Sequence, residues 1–289
     1  MIVCPNCFKP WLESQTQCSG CGRVVENIDG FLVWSPSLAR TNDGFPADGF
    51  DRLYQIESTS FWFHSRNRLI LWTLRRFAPD FESFLEIGCG TGFVLSGIEA
   101  EFPNRQLSGS EIYTNGLQYA RKRIPGARLA QMDARSLPYS EEFDVVGAFD
   151  VIEHIDEDET ALDSTYRAVK PNGIALISVP QHKWLWSPID EAVCHKRRYS
   201  SSELHKKLNK AGFHVIFSTS FVTLLIPFMY FSRMISKNKS GQNSREFAMP
   251  RFLNFAFGFV MGLEFALIRL GCRLPIGGSR LVAARKQSR

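Results

Sequence analysis

The 289 residues contain no internal repeat and no low-complexity tract, which excludes a solenoid, a propeller or a compositionally disordered chain. Long uninterrupted apolar runs are missing too. Phe221–Phe231 is broken by Pro227, and Phe252–Leu270 carries Glu264 and Arg269, which argues against a bilayer span. Met1 leads directly into Cys4-Pro5-Asn6-Cys7, with no charged segment followed by an apolar one, so a secretory signal is not expected. Basic residues are not gathered into one stripe and no RNA-binding module is present, so nucleic acid is not the expected partner. The net charge of +5 permits an anionic partner such as a membrane surface, a phosphorylated substrate or RNA, and identifies none.

What is present fits one large α/β domain with a small appendage. The 24 Phe and six Trp crowd into residues 61–63, 184–186 and 217–265, more than a plain core requires. Four of the seven cysteines fall at Cys4, Cys7, Cys18 and Cys21. Without a signal a reducing cytoplasm is expected, where clustered thiols hold metal more often than they form disulfides. Two Cys-x-x-Cys knuckles ten residues apart have zinc-ribbon spacing, each gripping one edge of a tetrahedral ion. A structural Zn²⁺ is expected; four thiolates leave no open catalytic position. A redox pair or incidental spacing is the alternative.

Residues 1–34 are read as the ribbon, with a short strand pair or extended arm from Val24 to Trp34. Residues 35–82 are a Pro- and Gly-rich linker followed by a helix from Tyr54 to Phe77, where Trp62, Leu69 and Trp72 recur at helical spacing. Strands are expected at 83–87, 107–111, 128–131, 144–149 and 173–179, and helices at 92–101, 114–123, 157–169 and 201–211. That alternation predicts a parallel sheet covered on both faces. Residues 83–220 are the core, with a sixth strand ending near Ser220. Residues 221–275 form an apolar insertion, and 276–289 a final strand and tail.

Phe84 to Gly92 is an apolar strand running into a Gly88-x-Gly90-x-Gly92 turn and then a helix. Glycine there lets the backbone turn tightly and approach a ligand. A dinucleotide turn would need glycine where Phe93 stands, which argues against NAD or FAD. Glu111, at the end of the second strand, is placed to accept hydrogen bonds from both ribose hydroxyls, and Asp133, ending the third, to meet an adenine amino group.

With Glu86-Ile87-Gly88-Cys89-Gly90-Thr91-Gly92, Glu111, Asp133-Ala134, Phe143-Asp144-Val145-Val146 and Lys170-Pro171-Asn172-Gly173, residues 84–180 resemble the class I S-adenosylmethionine-dependent methyltransferases. Asp150-Val151-Ile152-Glu153-His154-Ile155 looks like the branch that includes ubiquinone-biosynthesis O-methyltransferases. The resemblance implies a Rossmann-like seven-stranded sheet, here with an N-terminal zinc ribbon and a helical insertion between the last two strands. It implies S-adenosylmethionine as cofactor, with Gly88 and Gly90 at the methionine end, Glu111 on the ribose and Asp133 with Ala134 on the adenine. Glu86, Cys89, Ile112 and Phe149 complete the expected cofactor set.

Methyl transfer needs alignment and sometimes removal of a proton. His154 and His195 are the candidate bases. The segment from Pro180 to Ser200 carries Trp186, Arg198 and Tyr199, expected to contact an acceptor with apolar and anionic parts; the alternative is that Arg198 and Tyr199 tie this loop to the sheet. Strings like Trp186-x-x-x-Asp190 and His195-x-Arg-Arg-Tyr199 occur in bacterial methyltransferases of uncharacterised or cell-surface-glycan context, a resemblance that supplies no substrate. Arg66 is read as able to meet the methionine carboxylate or as simply solvated. The insertion 221–275, with Arg233, Lys237, Lys239, Arg245 and Arg251 between its apolar halves, suits an anionic membrane surface, a lid or a homodimer interface. The expected activity is O-methylation of a small amphipathic or lipid- or glycan-linked acceptor, in the cytoplasm or on the inner face of its membrane. RNA methylation through ribbon docking and a non-enzymatic adaptor are the alternatives.

Overall fold

A computed structural model describes residues 1–12, 15–40, 49–236 and 250–287. Lys237, Lys239 and Arg245, and residues 41–48 of the expected linker, lie outside them. The strands are β1 (Glu26–Ile28), β2 (Phe31–Val33), β3 (Ser83–Ile87), β4 (Gln106–Glu111), β5 (Arg128–Gln131), β6 (Phe143–Phe149), β7 (Val169–Pro180), β8 (Phe213–Phe221) and β9 (Ser279–Lys286). They form one sheet in the order β1-β2-β5-β4-β3-β6-β7-β9-β8. Strands β3 to β7 are parallel, and β9 runs antiparallel to both of its neighbours. The expected seven strands are those from β5 to β8 in this order. Two more come from the arm before the linker, because Leu32 and Val33 of the β1–β2 hairpin pair in parallel with Ala130 and Gln131.

The helices are α1 (Pro36–Arg40), α2 (Gly49–Ile56), α3 (Phe61–Phe77), α4 (Phe93–Glu101), α5 (Thr114–Arg123), α6 (Asp158–Ala168), α7 (Pro188–Ala192), α8 (Ser201–Lys210), α9 (Ile226–Ser236) and α10 (Arg251–Arg269). Every residue of β3 is buried, as a strand covered on both faces must be. Alternate residues feed two cores. Leu85, Ile87 and Val146 join Leu162, Tyr199 and Leu204 on one face. Phe84 and Val145 join Ile70, Leu95, Leu117 and Met261 on the other.

The cysteine-bearing segment belongs to the first of these cores. Cys4, Cys18, Trp11 and Trp34 pack with Leu137, and Val3 N donates to the Pro138 carbonyl at 3.0 Å. The helix expected over 54–77 is two helices. Glu57-Ser58-Thr59-Ser60 interrupts it, as side chains that bond nearby backbone do: Thr59 Oγ1 donates to Ile56 O at 3.2 Å. Helix α7 was not foreseen, although Pro188 at its start and the Ser187–Asp190 capping box are sequence signals for it. Ser200 caps α8 by accepting the Glu203 amide at 3.1 Å.

The insertion docks through α10 on α3. Asn254 Oδ1 accepts the Phe61 amide at 2.8 Å, and the Phe61 and Phe257 rings meet edge-on at 5.4 Å. Glu264, read in sequence as an interruption of an apolar run, faces inward and is fully buried. It accepts the amides of Val222, Thr223 and Leu224 at 2.6, 2.7 and 2.9 Å. The opposite face of α10 is apolar as well: Phe252 is 78% and Phe255 77% exposed, followed by exposed Phe259 and Leu263. Helix α10 is long and apolar enough to cross a membrane by length and composition.

Replacing Glu264 with Ala strands three amides beneath the insertion. Urea unfolding should show a loss of about 3 kcal/mol, since each orphaned buried donor costs about 1–3 kcal/mol and part of this is recovered by water. A loss below about 1 kcal/mol would show that this carboxylate does not anchor the helix.

Candidate active site

The strand order reverses at β3, where β4 departs to one side and β6 to the other, and at such a point loops at the carboxyl edge leave a crevice. A cavity of about 1100 Å³ opens there, walled by the ends of β3, β4 and β6 and by α3, α9 and α10. Two glycines shape its floor. Gly88 has φ +64°, and a Cβ on it would lie 2.5 Å from Val151 Cγ2; Gly90 has φ +52° with open space around it. The first glycine is demanded by packing and conformation, the second by conformation alone.

Glu111 closes the turn from the neighbouring strand. Its Oε2 accepts the Gly90 amide at 3.0 Å, and its Oε1 the amides of Ile112 and Tyr113 at 2.7 and 3.3 Å. Burial pushes this carboxyl up, against the pull of the three amides. One acceptor position remains on Oε2. Glu86 is buried beside it with Oε2 unpartnered among the described residues, and burial pushes it well above the usual carboxylate range. Cys89, Ile112, Ala134 and Phe149 also line the cavity. Asp133 lines it too, but its oxygens are already engaged: Arg135 donates to both through Nε at 3.0 Å, and the Arg135 amide to Oδ1 at 2.9 Å.

Arg66 is not solvated. It is buried on α3, its guanidinium 4.6 Å from the Trp62 ring centroid and its Nη1 2.5 Å from Asp150 Oδ2. Asp150, which follows β6 with φ +57°, was missed as a site residue. So was Glu57, which accepts Arg123 Nη1 at 2.8 Å and the Thr91 hydroxyl and so fixes the glycine turn from below. The Ser-Thr-Ser break after Glu57 was the available signal.

At the far end, His154 and His195 both line the cavity, their rings edge-to-face with centroids 4.7 Å apart. Burial, then the neighbouring His195, lowers His154 to about 4. His195 Nδ1 lies 2.9 Å from Asp190 Oδ1. Asp190 also accepts Arg198 Nε at 2.7 Å and the Ser187 amide at 2.9 Å; although burial opposes it, His195 and Arg198 hold its carboxyl well below the usual range.

These contacts correct part of the expected acceptor set. Tyr199 does not line the cavity: it is fully buried and its hydroxyl donates to Asp158 Oδ2 at 2.6 Å. Trp186 is also absent from the lining and points its Nε1 at Glu191, 3.3 Å away. Arg198 reaches the cavity wall but spends its donors on Asp190 and the Gln181 carbonyl. Once folded inward, the polar residues of this loop must satisfy one another.

The four cysteines converge as the spacing predicts. Cys4 and Cys21 Sγ atoms are 3.5 Å apart, as are those of Cys7 and Cys18. A tetrahedral ion with bonds of about 2.3 Å sets sulfurs about 3.8 Å apart, close to this arrangement. Amides of Gly20 and Cys21 lower Cys18 to about 6, favouring thiolate.

The methyltransferase domain family matches residues 59–217. A relative from Mycolicibacterium smegmatis named "Probable S-adenosylmethionine-dependent methyltransferase" is 26% identical over 59% of this chain and 66% of its own. A malonyl-[acyl-carrier protein] O-methyltransferase from Haemophilus ducreyi is 31% identical over 34% of this chain and 40% of its own. The chain thus spans less than two thirds of the length of these curated relatives. Among solved structures, phosphoethanolamine N-methyltransferase 2 from Haemonchus contortus in complex with S-adenosyl-L-methionine superposes with a TM-score of 0.58 at 21% identity, over 88% of this chain and 60% of that one. A SAM-dependent methyltransferase from Thermotoga maritima gives 0.52 at 18% identity, over 83% and 95%. These likenesses are of fold: the Rossmann-like methyltransferase sheet. With the family matched across more than half of its length, this chain belongs to the methyltransferase domain family.

Proposed function

We propose that the chain transfers a methyl group from S-adenosylmethionine to a hydroxyl of an amphipathic, lipid- or glycan-linked acceptor. One observation carries this reading: a single cavity joins the polar turn at Gly88, Gly90 and Glu111 to an apolar wall of Leu225, Phe228, Leu253 and Phe257 from the insertion. The remaining acceptor position of Glu111 suits a ribose hydroxyl, and Gly88, Cys89, Gly90 and Glu86 Oε2, unpartnered among the described residues, suit the positively charged methionine end. Ile112, Ala134 and Phe149 supply apolar surface for the purine. Asp133 can meet the adenine amino group only by sharing an oxygen with Arg135. When bound, S-adenosylmethionine supplies a methyl group on a sulfonium, open to in-line displacement.

The chain's own residues do the remaining work. The glycine turn and Glu111 hold one reactant while α9 and α10 cover the other, which fixes the approach and excludes water. The acceptor's proton is lost at the His154–His195 end, where Asp190 holds the His195 ring through Nδ1. Four thiolates from Cys4, Cys7, Cys18 and Cys21 hold a structural zinc ion that staples the N-terminal segment to the sheet. The exposed Phe252, Phe255 and Phe259 stripe favours contact with a membrane surface, from which an amphipathic acceptor enters under the insertion.

Isothermal titration of the full chain should show saturable binding of S-adenosylmethionine and S-adenosylhomocysteine. Glu111→Ala should weaken both at least tenfold, in keeping with about 1.5–3 kcal/mol for charge-assisted hydrogen bonds. No heat from either ligand with folded protein would end the reading. Cobalt in place of zinc should give strong near-ultraviolet thiolate absorption, and its absence would dismiss the cysteine site. The chain should float with phosphatidylglycerol-containing vesicles, and Phe252→Ser, Phe255→Ser and Phe259→Ser together should cut the floated fraction severalfold; equal flotation would leave the stripe to a lid or dimer.

A further inference from the structure

We propose that Glu153, His154 and His195 form a binding site for a divalent first-row transition-metal ion at the acceptor end of the cavity, separate from the four cysteines. Their ligand atoms lie within 4.8 Å of one another. Glu153 is fully buried, and neither of its carboxylate oxygens has a hydrogen-bond partner among the described residues. The neighbouring cations do not answer its charge, because Arg66 is paired with Asp150 and Arg198 with Asp190. His195 Nε2 stands 3.8 Å from Glu153 Oε1, too far for a hydrogen bond. It is near the span of two atoms sharing one ion, since bonds of about 2.0–2.2 Å in a tetrahedral shell put two ligands about 3.3–3.6 Å apart. A pair at the 4.8 Å limit would close by about 1.2–1.5 Å on binding.

The surroundings complete the pattern. Asp190 on His195 Nδ1 is the carboxylate that fixes tautomer and ring direction in carboxylate–histidine–metal triads. Two imidazoles and one carboxylate favour zinc, iron or manganese over calcium or magnesium and leave coordination positions open. Glu153, His154 and His195 all line the cavity, so an acceptor hydroxyl or carboxylate would complete the shell. The use of the ion rests on the methyltransferase reading, but its binding does not.

The test is a metal count on the full chain followed by Co²⁺ titration. The expected result is two equivalents per chain: one with thiolate absorption, the other with weak visible bands only. Glu153→Gln and His195→Ala should each weaken the second equivalent by well over tenfold, and Asp190→Asn by about 10- to 100-fold. Circular dichroism and S-adenosylhomocysteine binding report whether each variant is folded. A single equivalent carrying thiolate absorption overturns the proposal, as does a second equivalent that survives both Glu153→Gln and His195→Ala. A second equivalent lost in those variants, in a protein that binds no S-adenosylhomocysteine, upholds the site while the methyltransferase reading falls.

Discussion

The hydrogen bond from the Gly90 amide to the Glu111 carboxylate is the tie on which the rest of the site depends. It joins the turn after β3 to the end of β4 inside a buried environment, where a carboxylate without donors would be costly. From there the connection passes outward. Gln131, fully buried at the end of β5, donates from Nε2 to the Ile112 carbonyl at 3.1 Å and exchanges bonds with the backbone of Ser35. One row of polar groups thus fixes three successive strand ends and the start of α1. The β1–β2 hairpin, and through it the cysteine-bearing segment, is held at the same edge. A change at Glu111 therefore reaches beyond any ligand it meets.

Much of the fold was legible because the signals were local. Apolar runs, the glycine turn and the alternation of strands with helices put β3 to β9 within a few residues of their places. The addition of β1 and β2 to the sheet was not legible. It depends on pairing between Leu32 and Ala130, and nothing in the sequence of a three-residue strand specifies a partner a hundred residues away. The break between α2 and α3 was masked because the apolar spacing continues across it; Ser58-Thr59-Ser60 was the only local signal, and the buried engagement of Glu57 with Arg123 and Thr91 fixes the turn.

The site was legible in its glycines and in Glu111, whose positions at strand ends follow from the element pattern. It was misread where burial reversed the expected direction of a polar side chain. Arg66 and Glu264 look like solvent-facing charges on their helices, yet both are buried, Arg66 paired through Nη1 with Asp150 and Glu264 with three backbone amides. Tyr199 and Arg198 read as acceptor contacts because they follow an aromatic loop. In the folded chain Tyr199 donates a hydrogen bond to Asp158 and Arg198 pairs with Asp190, while His195 lines the cavity. Helix α10 is apolar on every side, so its periodicity could not reveal which face docks. Glu264 decides it, because a buried carboxylate must be where the three free amides are.

The cavity departs from what stability alone would select. Glu86, Glu111 and Glu153 are buried carboxylates around one space, and burial raises all three. A core selected only for stability replaces such groups with apolar ones of similar volume, which is often neutral or favourable. Glu111 is compensated by amides, and Arg66 and Arg198 are committed elsewhere. Glu86 and Glu153 therefore keep acceptors that no part of the described chain satisfies. A positively charged ligand relieves that deficit without rearranging the sheet. The proposed sulfonium at Glu86 and the proposed metal ion at Glu153 would be two answers to the same electrostatic condition.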